Sequence, residues 1–386
     1  MTTETHDIHA VDPDGLAEFS VVFTDRSLNS MSAAFQEVMR DIHAGMRETY
    51  AAHDVAVVPG GGTYAMEAVA RQLGQGSKAL VVRNGWFSYR WSQIMEAGAF
   101  TEGVEVMRAR PAQAEGPIQF APPPAAEVAA KVRETKPDVV FAPHVETSAG
   151  VILPDAYIAE VAAAAHEVGA VMVLDCIASG CVWVDMEATG VDLLISAPQK
   201  GWSSTPCAGL VMMSERGRAR VDATTSDSFA LDLRKWCGIM DAYMGGGHAY
   251  HATMPTDGLR QFRDAMRETM AFGLDAAKDA QWALGRRVRD MLGARGVKGV
   301  AAEGFRAPGV AVCHAPSPEV RSGAAFAAQG VQIAAGVPLA IGEPDGWSTF
   351  RIGLFGLDKL RDVDATCDRL EPALDAVLGR PALAAE

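Results

Sequence analysis

The chain alternates short apolar runs with segments of helical periodicity from about residue 30 onward. "SMSAAFQEVMRDIHAGMRETY" places its apolar residues three or four positions apart, which predicts an amphipathic helix. The apolar runs "VAVVPG", "KALVVRNG", "DVVFAPHVE", "AVMVLDCIAS" and "VDLLISAP" predict buried strands, and helical stretches such as "TYAMEAVARQL" lie between them. Because parallel neighbours need helical crossovers, these repeated units favour a mainly parallel sheet in a three-layer α/β domain.

The pattern changes after about residue 285, where the elements become shorter. "RAPGVAVCHAP", "GVQIAAGV" and "STFRIGLFG" predict strands, and "DVDATCDRLEPALDAVL" predicts a closing helix. We therefore expect an N-terminal arm over residues 1–20, a large α/β domain over 21–284 and a smaller α+β domain over 285–386. A chain of 386 residues, 49% of them hydrophobic, is long enough to bury a core in both domains.

Composition narrows the partners of the protein. A net charge of -14 with no basic stripe argues against nucleic-acid binding. The N-terminus lacks the pattern of a signal peptide, and no apolar run approaches the ~20 residues that span a bilayer. The six cysteines form no C-x-x-C pair. We therefore expect free thiols, no metal site, no membrane partner and a cytoplasmic location.

Two charged residues follow apolar strands, where loops line the ligand crevice of a parallel sheet. Lys200 comes after "VDLLIS", so it is either exposed at a turn or used in chemistry. A lysine whose pKa is lowered forms a Schiff base with an aldehyde. Asp175 ends the run "VMVLD". It either caps a turn or pairs with a cation such as the ring nitrogen of pyridoxal phosphate.

Such a cofactor also needs a phosphate cradle and a stacking surface. Gly61, Gly62 and Thr63 precede a predicted helix, so they form either an anion-binding helix start or a plain glycine turn. Trp86 and Phe87 lie in a strand-to-helix loop, where an aromatic ring either packs in the core or covers a cofactor ring.

Five segments in order, "HVETSAGV", "VLDCIAS", "SAPQKG", "YHATMP" and "RIGLFG", resemble the class V aminotransferases of the type I pyridoxal phosphate fold. The likeness runs from about residue 30 to the end and is greatest to the alanine-glyoxylate and serine-glyoxylate branch. It implies that pyridoxal 5'-phosphate is the cofactor. It also implies that Lys200 forms the Schiff base with the cofactor and moves the substrate proton, while Asp175 pairs with the pyridine nitrogen.

The resemblance implies the remaining site residues. The cofactor residues it adds are Gly61, Gly62, Thr63 and Gln199 at the phosphate, with Phe87 and Ile177 against the ring. Ser148 would lie near the cofactor's oxygen and the substrate, and Arg351 would bind the substrate carboxylate. Tyr250 and Thr253 would reach the cofactor phosphate of a neighbouring subunit, which implies a homodimer with shared active sites.

The N-terminal region departs from this family. Its members usually have a Gly-Pro-Gly-Pro segment that closes over the substrate, whereas this chain reads "FTDRSLNSMS". Arg26, Ser27 and Asn29 either contact the substrate or cap the helix that follows, and we favour the cap.

The resemblance predicts transfer of an amino group from alanine, serine or aspartate to glyoxylate or pyruvate by a ping-pong mechanism. His144, His248 and His251 are expected to be structural, because Lys200 can move the proton itself. One alternative is a 2-aminoethylphosphonate transaminase, which needs extra basic groups such as Arg26 or Arg90. The others are a lyase or desulfurase, for which no cysteine on a mobile loop is evident, and a non-catalytic protein of the same fold.

Overall fold

A computed structural model describes residues 11–113 and 115–381. Its strands are β1 (Asp54–Pro59), β2 (Lys78–Arg83), β3 (Gly103–Arg108), β4 (Arg110–Pro111), β5 (Phe120–Ala121), β6 (Val139–Pro143), β7 (Val145–Glu146), β8 (Val151–Ile152), β9 (Val171–Asp175), β10 (Leu193–Ser196), β11 (Ala208–Met213), β12 (Val310–His314), β13 (Ala334–Ala335) and β14 (Thr349–Gly353). Residues 1–10 of the expected N-terminal arm lie outside the described residues.

The described helices cover the sheets and connect their strands. They are α1 (Ala33–Tyr50), α2 (Gly62–Gly74), α3 (Trp86–Gly98), α4 (Ala125–Thr135), α5 (Asp155–Glu167), α6 (Met186–Thr189), α7 (Glu215–Asp222), α8 (Leu233–Met244), α9 (Thr256–Phe272), α10 (Leu274–Ala294), α11 (Pro318–Ser322), α12 (Ala324–Ala327), α13 (Leu357–Leu360) and α14 (Val363–Leu378). None of them is both long and apolar enough to cross a membrane.

A seven-stranded sheet forms the centre of the molecule, in the order β1-β11-β10-β9-β6-β2-β3. The strands from β10 to β3 pair in parallel, and β11 alone runs antiparallel to its two neighbours. Every residue of β6, β9, β10 and β11 is buried. Since side chains alternate between the faces of a strand, both faces of this sheet are covered. The expected three-layer, mainly parallel α/β fold is confirmed.

The C-terminal region builds a smaller sheet in the order β12-β14-β13, with both pairings antiparallel. Helix α10 packs against α9, α14 and β12. The boundary expected between residues 284 and 285 falls inside this continuous helix, next to the buried Leu284. The division into domains at that position stays a prediction.

The carboxyl ends of β6, β9 and β10 lie side by side. In the strand register Pro143 is opposite Asp175, and Asp175 is opposite Ile195. The loops that follow β1, β2, β6 and β10 therefore begin at one edge of the sheet, as expected for the loops of a ligand crevice.

The start of helix α1 differs from the expectation. Ser32 is the N-cap, and its Oγ accepts a hydrogen bond from the Phe35 N–H at 3.1 Å. Asn29 instead accepts from the Met31 N–H and donates from Nδ2 to Glu18. The favoured role of Arg26, Ser27 and Asn29 as the cap is therefore wrong. These residues precede the helix by three positions or more, which is too far for a capping side chain to reach the N2 or N3 amide.

Candidate active site

Lys200 and Asp175 lie at the carboxyl edge of the sheet. Asp175 is the last residue of β9 and is 7% exposed, while Lys200 follows β10 and is half-buried. Neither forms an ion pair within the described part of the chain. The charge of each group nevertheless favours the charged form of the other. The two charged residues that the sequence singled out share one partly water-excluded site.

Burial has the largest effect on the pKa of both groups. It raises the pKa of Asp175 to about 6, against the stabilising hydrogen bond from the Ile177 N–H at 2.9 Å and the charge of Lys200. Burial also lowers the pKa of the Lys200 ammonium, and Arg351 and Arg90 act in the same direction. An amine with a lowered pKa is neutral, and therefore nucleophilic, at a lower pH than an exposed lysine.

His144 supports Asp175 through the backbone. Its N–H donates to the Asp175 carbonyl at 2.8 Å, and its Nδ1 lies 2.7 Å from the Ser179 Oγ. Burial lowers the pKa of His144 to about 3, so the ring is neutral. Among the described residues no structural role is visible for His248, whereas the His251 Nε2 lies 2.8 Å from the Phe229 carbonyl. The structural role expected for these histidines stays a prediction.

The glycine loop after β1 leads into helix α2. Gly61 is the N-cap, and a Cβ added to it would meet no atom within 4 Å, so this side of the loop is open. The first N–H groups of a helix have no partner inside it, and the helix dipole favours an anion there. Gly62 lies against Ile177, because a Cβ at position 62 would be 2.5 Å from the Ile177 Cδ1. The start of helix α2 and Ile177 are thus direct neighbours.

Phe87 lies between two arginines. The Arg90 Cζ is 5.3 Å and the Arg351 Cζ 5.6 Å from the centre of its ring. The Arg90 Nη1 also donates to the Thr63 Oγ at 2.9 Å, which places this cation at the glycine loop. The Arg351 Nε donates to the Ala335 carbonyl at 2.9 Å. Neither guanidinium has a carboxylate partner within ion-pair distance among the described residues, so both are available to an anion.

Glu146 is the site residue that sequence reasoning missed. It is 0% exposed, and its carboxylate accepts from the N–H and Oγ–H groups of Ser88 and Ser148 and from the Phe87 N–H, at 2.7–3.2 Å. Three of these donors lie in the first turn of α3, so Glu146 stabilises that helix start from another segment. The signal in the sequence is an acid inside the otherwise neutral "HVETSAGV".

The hydroxyl of Ser148 is already used within this network. It donates to Glu146 at 2.7 Å and accepts from the Trp86 N–H at 2.9 Å, and Ser148 is 0% exposed. Gly85 leaves room for the network, since a Cβ there would be 2.2 Å from the Ser148 Oγ. The contact of Ser148 with a cofactor or substrate stays a prediction. The structure places its hydroxyl on the helix start instead.

Gln199 and the two residues expected to reach a partner differ in their surroundings. The Gln199 Oε1 is buried and has no hydrogen-bond partner among the described residues. Tyr250 is 62% exposed, and its hydroxyl lies 3.3 Å from that of Thr253, which is also exposed. Thr253 shares a surface cavity of about 670 Å³ with Gly60. Neither Tyr250 nor Thr253 contacts Lys200 within its own chain at hydrogen-bond distance.

The sequence of this chain is similar to the sequences of known enzymes. The family described as aminotransferase class-V matches residues 19–336. A 2-aminoethylphosphonate–pyruvate transaminase of Paraburkholderia xenovorans (strain LB400) is 30% identical over 342 residues, with 86% of each chain covered. The corresponding enzyme of Paraburkholderia phymatum is 28% identical over 337 residues, again with 86% of each covered.

A solved structure has the same fold. An alanine–glyoxylate aminotransferase from Nostoc sp. superimposes with a TM-score of 0.76 at 24% identity, covering 91% of this chain and 89% of that one. The likeness of the structures shows the fold alone, whereas the family match spans most of the sequence and includes Asp175 and Lys200. The chain belongs to the class V aminotransferase family, whose members depend on pyridoxal phosphate.

Proposed function

We propose that this protein binds pyridoxal 5'-phosphate and transfers an amino group from alanine, serine or aspartate to glyoxylate or pyruvate. The observation that carries the proposal is the placement of Lys200 and Asp175 at neighbouring strand ends, where Asp175 is buried, Lys200 is half-buried and neither has an ion-pair partner among the described residues. Burying charge in this way is costly unless a ligand compensates for it. A cationic ring next to Asp175 and an aldehyde next to Lys200 provide that compensation.

The residues present fit this cofactor. The open side of Gly61 and the start of α2 offer N–H donors to a phosphate, and Arg90 stands beside Thr63 at the same loop. The buried amide oxygen of Gln199 has no hydrogen-bond partner in the described part of the chain, so it is free to accept a hydrogen bond from a ligand. Asp175 accepts one hydrogen bond, from Ile177, and retains acceptor capacity for a ring N–H.

When bound, the cofactor supplies an aldehyde that condenses with amines and a ring that withdraws electrons from the substrate's α-carbon. Asp175 holds the proton of the ring nitrogen by providing a nearby negative charge. Lys200 moves a proton to and from the α-carbon, for which its lowered pKa is suited. Phe87 and Ile177 cover the ring and exclude water from it.

Arg351 orients the substrate. Its guanidinium lies at the ring of Phe87 and keeps two nitrogens beyond the Nε–Ala335 hydrogen bond. A planar guanidinium binds a carboxylate with two parallel hydrogen bonds, which fixes the direction of the α-carbon. The same contact serves the amino acid and the oxo acid in turn, as a ping-pong cycle through one site requires.

A second candidate substrate is 2-aminoethylphosphonate. Two relatives covering 86% of this chain are named as transaminases of that amine with pyruvate. The structure adds Arg90, a second guanidinium at the ring of Phe87 without a carboxylate partner in the described chain. A phosphonate carries more charge than a carboxylate, so two arginines suit it better than one.

The active molecule is proposed to be a cytoplasmic homodimer with shared sites. Tyr250, Phe229 and Tyr64 expose 62%, 78% and 55% of their surface, and aromatic residues are enriched where subunits meet. The segment before Tyr250 contains Gly245, Gly246 and Gly247, which permit a sharp change of chain direction. The six cysteines of the chain are free and buried, which suits a reducing compartment.

The role of Lys200 is tested by substitution with alanine. Lys200→Ala is expected to abolish nearly all amino transfer to pyruvate, because the variant lacks both the covalent anchor and the proton carrier. Borohydride reduction followed by peptide mass spectrometry should attach the cofactor to Lys200 in the wild type and to no peptide of the variant. Lys78→Ala, at an exposed lysine, is the matched control. Wild-type turnover by the Lys200→Ala protein would exclude the proposed function.

Asp175 should make the free energy of unfolding of the cofactor-free protein depend on pH. Its pKa is about 6 when folded and close to 3.8 when unfolded. The folded state therefore binds the proton more tightly, and the free energy of unfolding falls as the pH rises from about 4 to 6. The decrease attributable to this group reaches about 3 kcal/mol. Urea unfolding of the wild type and of Asp175→Asn at several pH values isolates this contribution to the free energy of unfolding. If the two proteins show parallel pH profiles, the pKa of the Asp175 carboxyl is not raised.

Arg351 and Arg90 should affect different substrates. Arg351→Ala is expected to lower kcat/KM for alanine and for pyruvate by about 10- to 100-fold, since a lost hydrogen bond to a charged group costs roughly 1.5–3 kcal/mol. If Arg90 binds a phosphonate, Arg90→Gln lowers kcat/KM for 2-aminoethylphosphonate by a similar factor and leaves alanine within about threefold. An equal loss for both donors, with weaker cofactor binding, assigns Arg90 to the cofactor phosphate instead.

The shared site predicts complementation between two inactive chains. Lys200→Ala and Tyr250→Ala are expected to fail for reasons located on different subunits. Refolding them together should then regenerate one intact site in each mixed dimer, or about a quarter of all sites with random pairing. Each variant refolded alone is the control, and Tyr250→Ala must be severely impaired by itself. Activity equal to the mean of the two parents means that Tyr250 acts within its own chain.

A further inference from the structure

A second cavity contains none of the site residues assigned above. It has a volume of about 470 Å³ and is lined by Gln113, Pro117 and Gln119 together with residues of helix α10 and strand β12. Volumes of this size accommodate small metabolites. The polar side chains that line it are Gln113, Gln119, Arg289, Lys298 and Arg306. No aspartate or glutamate is among its described lining residues.

The charge of this cavity is uncompensated. Within residues 11–113 and 115–381, no carboxylate lies within ion-pair distance of Arg289, Lys298 or Arg306. Arg289 donates to the carbonyls of Gly285 and Val310 at 2.9 and 3.0 Å, and also to that of Ala307. These three carbonyl oxygens accept from its guanidinium, but none of them carries a formal charge that pairs with it. Burial lowers the pKa of Arg289 to about 10, and the nearby charge of Arg306 acts in the same direction.

We propose that this cavity binds a small metabolite through a carboxylate or phosphate group. Arg289 is half-buried in the wall of the cavity, while Lys298 and Arg306 are exposed and approach the ligand from the rim. Guanidinium and ammonium groups bind both kinds of oxyanion, and Arg306 retains all of its donors for this contact among the described residues. The two glutamine amides provide orientation for the uncharged part of the ligand.

The cavity adjoins two elements of the active site. Gly150 lines it, and the Gly150 N–H donates to the Glu146 carbonyl at 2.8 Å, which closes the turn that carries Ser148. Gly150 has a φ of +71°, and a Cβ there would be 3.0 Å from the Val312 Cγ2. Val312 also lines the cavity and is opposite Arg351 in the β12–β14 register. A ligand in this cavity therefore lies next to the segments that hold Glu146 and Arg351.

Calorimetric titration of the cofactor-loaded protein tests this site. Inorganic phosphate and malonate serve as separate probes of the two oxyanion classes. All titrations use an Arg351→Ala background, which removes one of the two guanidinium groups that the active site offers to an anion, and Arg90 is the same in every protein compared. We expect one binding event for at least one probe. The added changes Lys298→Ala and Arg306→Ala should weaken it at least about tenfold, because they remove two charged partners and leave the carbonyl contacts of Arg289 intact.

A matched control removes the same charges elsewhere. Lys78→Ala with Arg321→Ala, both at exposed positions outside the cavity, should leave the affinity within about twofold of the Arg351→Ala protein. Circular dichroism and thermal unfolding confirm that each variant is folded. Binding of phosphate alone or of malonate alone supports the site and identifies its oxyanion class. No binding of either probe, or equal affinity with and without Lys298 and Arg306, overturns the proposal.

Discussion

Charge held in the interior at one edge of the sheet is the constraint on which the site depends. Asp175 and Glu146 are buried there, and Lys200 and Arg351 are half-buried nearby. Three of them are stabilised differently: Glu146 by five hydrogen-bond donors, Arg351 by a carbonyl and an aromatic ring, and Asp175 by a single N–H. Asp175 accepts fewer hydrogen bonds than Glu146, and burial raises its pKa to about 6. Asp175 is thus the carboxylate of this pair that retains acceptor capacity for the proposed cofactor.

Much of the fold could be predicted because it follows from short-range patterns. Apolar runs of five or six residues specified β1, β2, β6, β9 and β10, and the helices between them required parallel pairing. Strand direction then placed Asp175 and Lys200 at the same edge without any knowledge of side-chain contacts. The reversal of β11 was not foreseen. "AGLVMMS" has the same apolar character as its neighbours, and direction is not encoded in that character.

The details of the site depend on contacts between segments that are distant in the sequence, and such contacts are harder to predict from the sequence alone. Glu146 belongs to a segment about 60 residues from the helix it stabilises, so its role was visible only in three dimensions. The same network uses the Ser148 hydroxyl. At the N-terminus, three polar residues suggested a cap, but the chain reaches helical geometry only after Ser32. Polar residues such as these satisfy several local geometries equally well, which is why their sequence does not select one.

The antiparallel pairing of β10 and β11 has a consequence for how far Lys200 can move. The loop 197–207 leaves one strand and returns to the strand beside it, so both of its ends are fixed by ladder hydrogen bonds. Within the loop the Ser203 N–H donates to the Lys200 carbonyl at 3.1 Å and the Ser204 N–H to the Pro198 carbonyl at 3.0 Å. These hydrogen bonds hold the backbone of Lys200 in place. In the proposed reaction, the distance over which its amine carries a proton is set by rotation of four side-chain bonds rather than by loop motion, and a substrate must bring its reacting carbon within that radius.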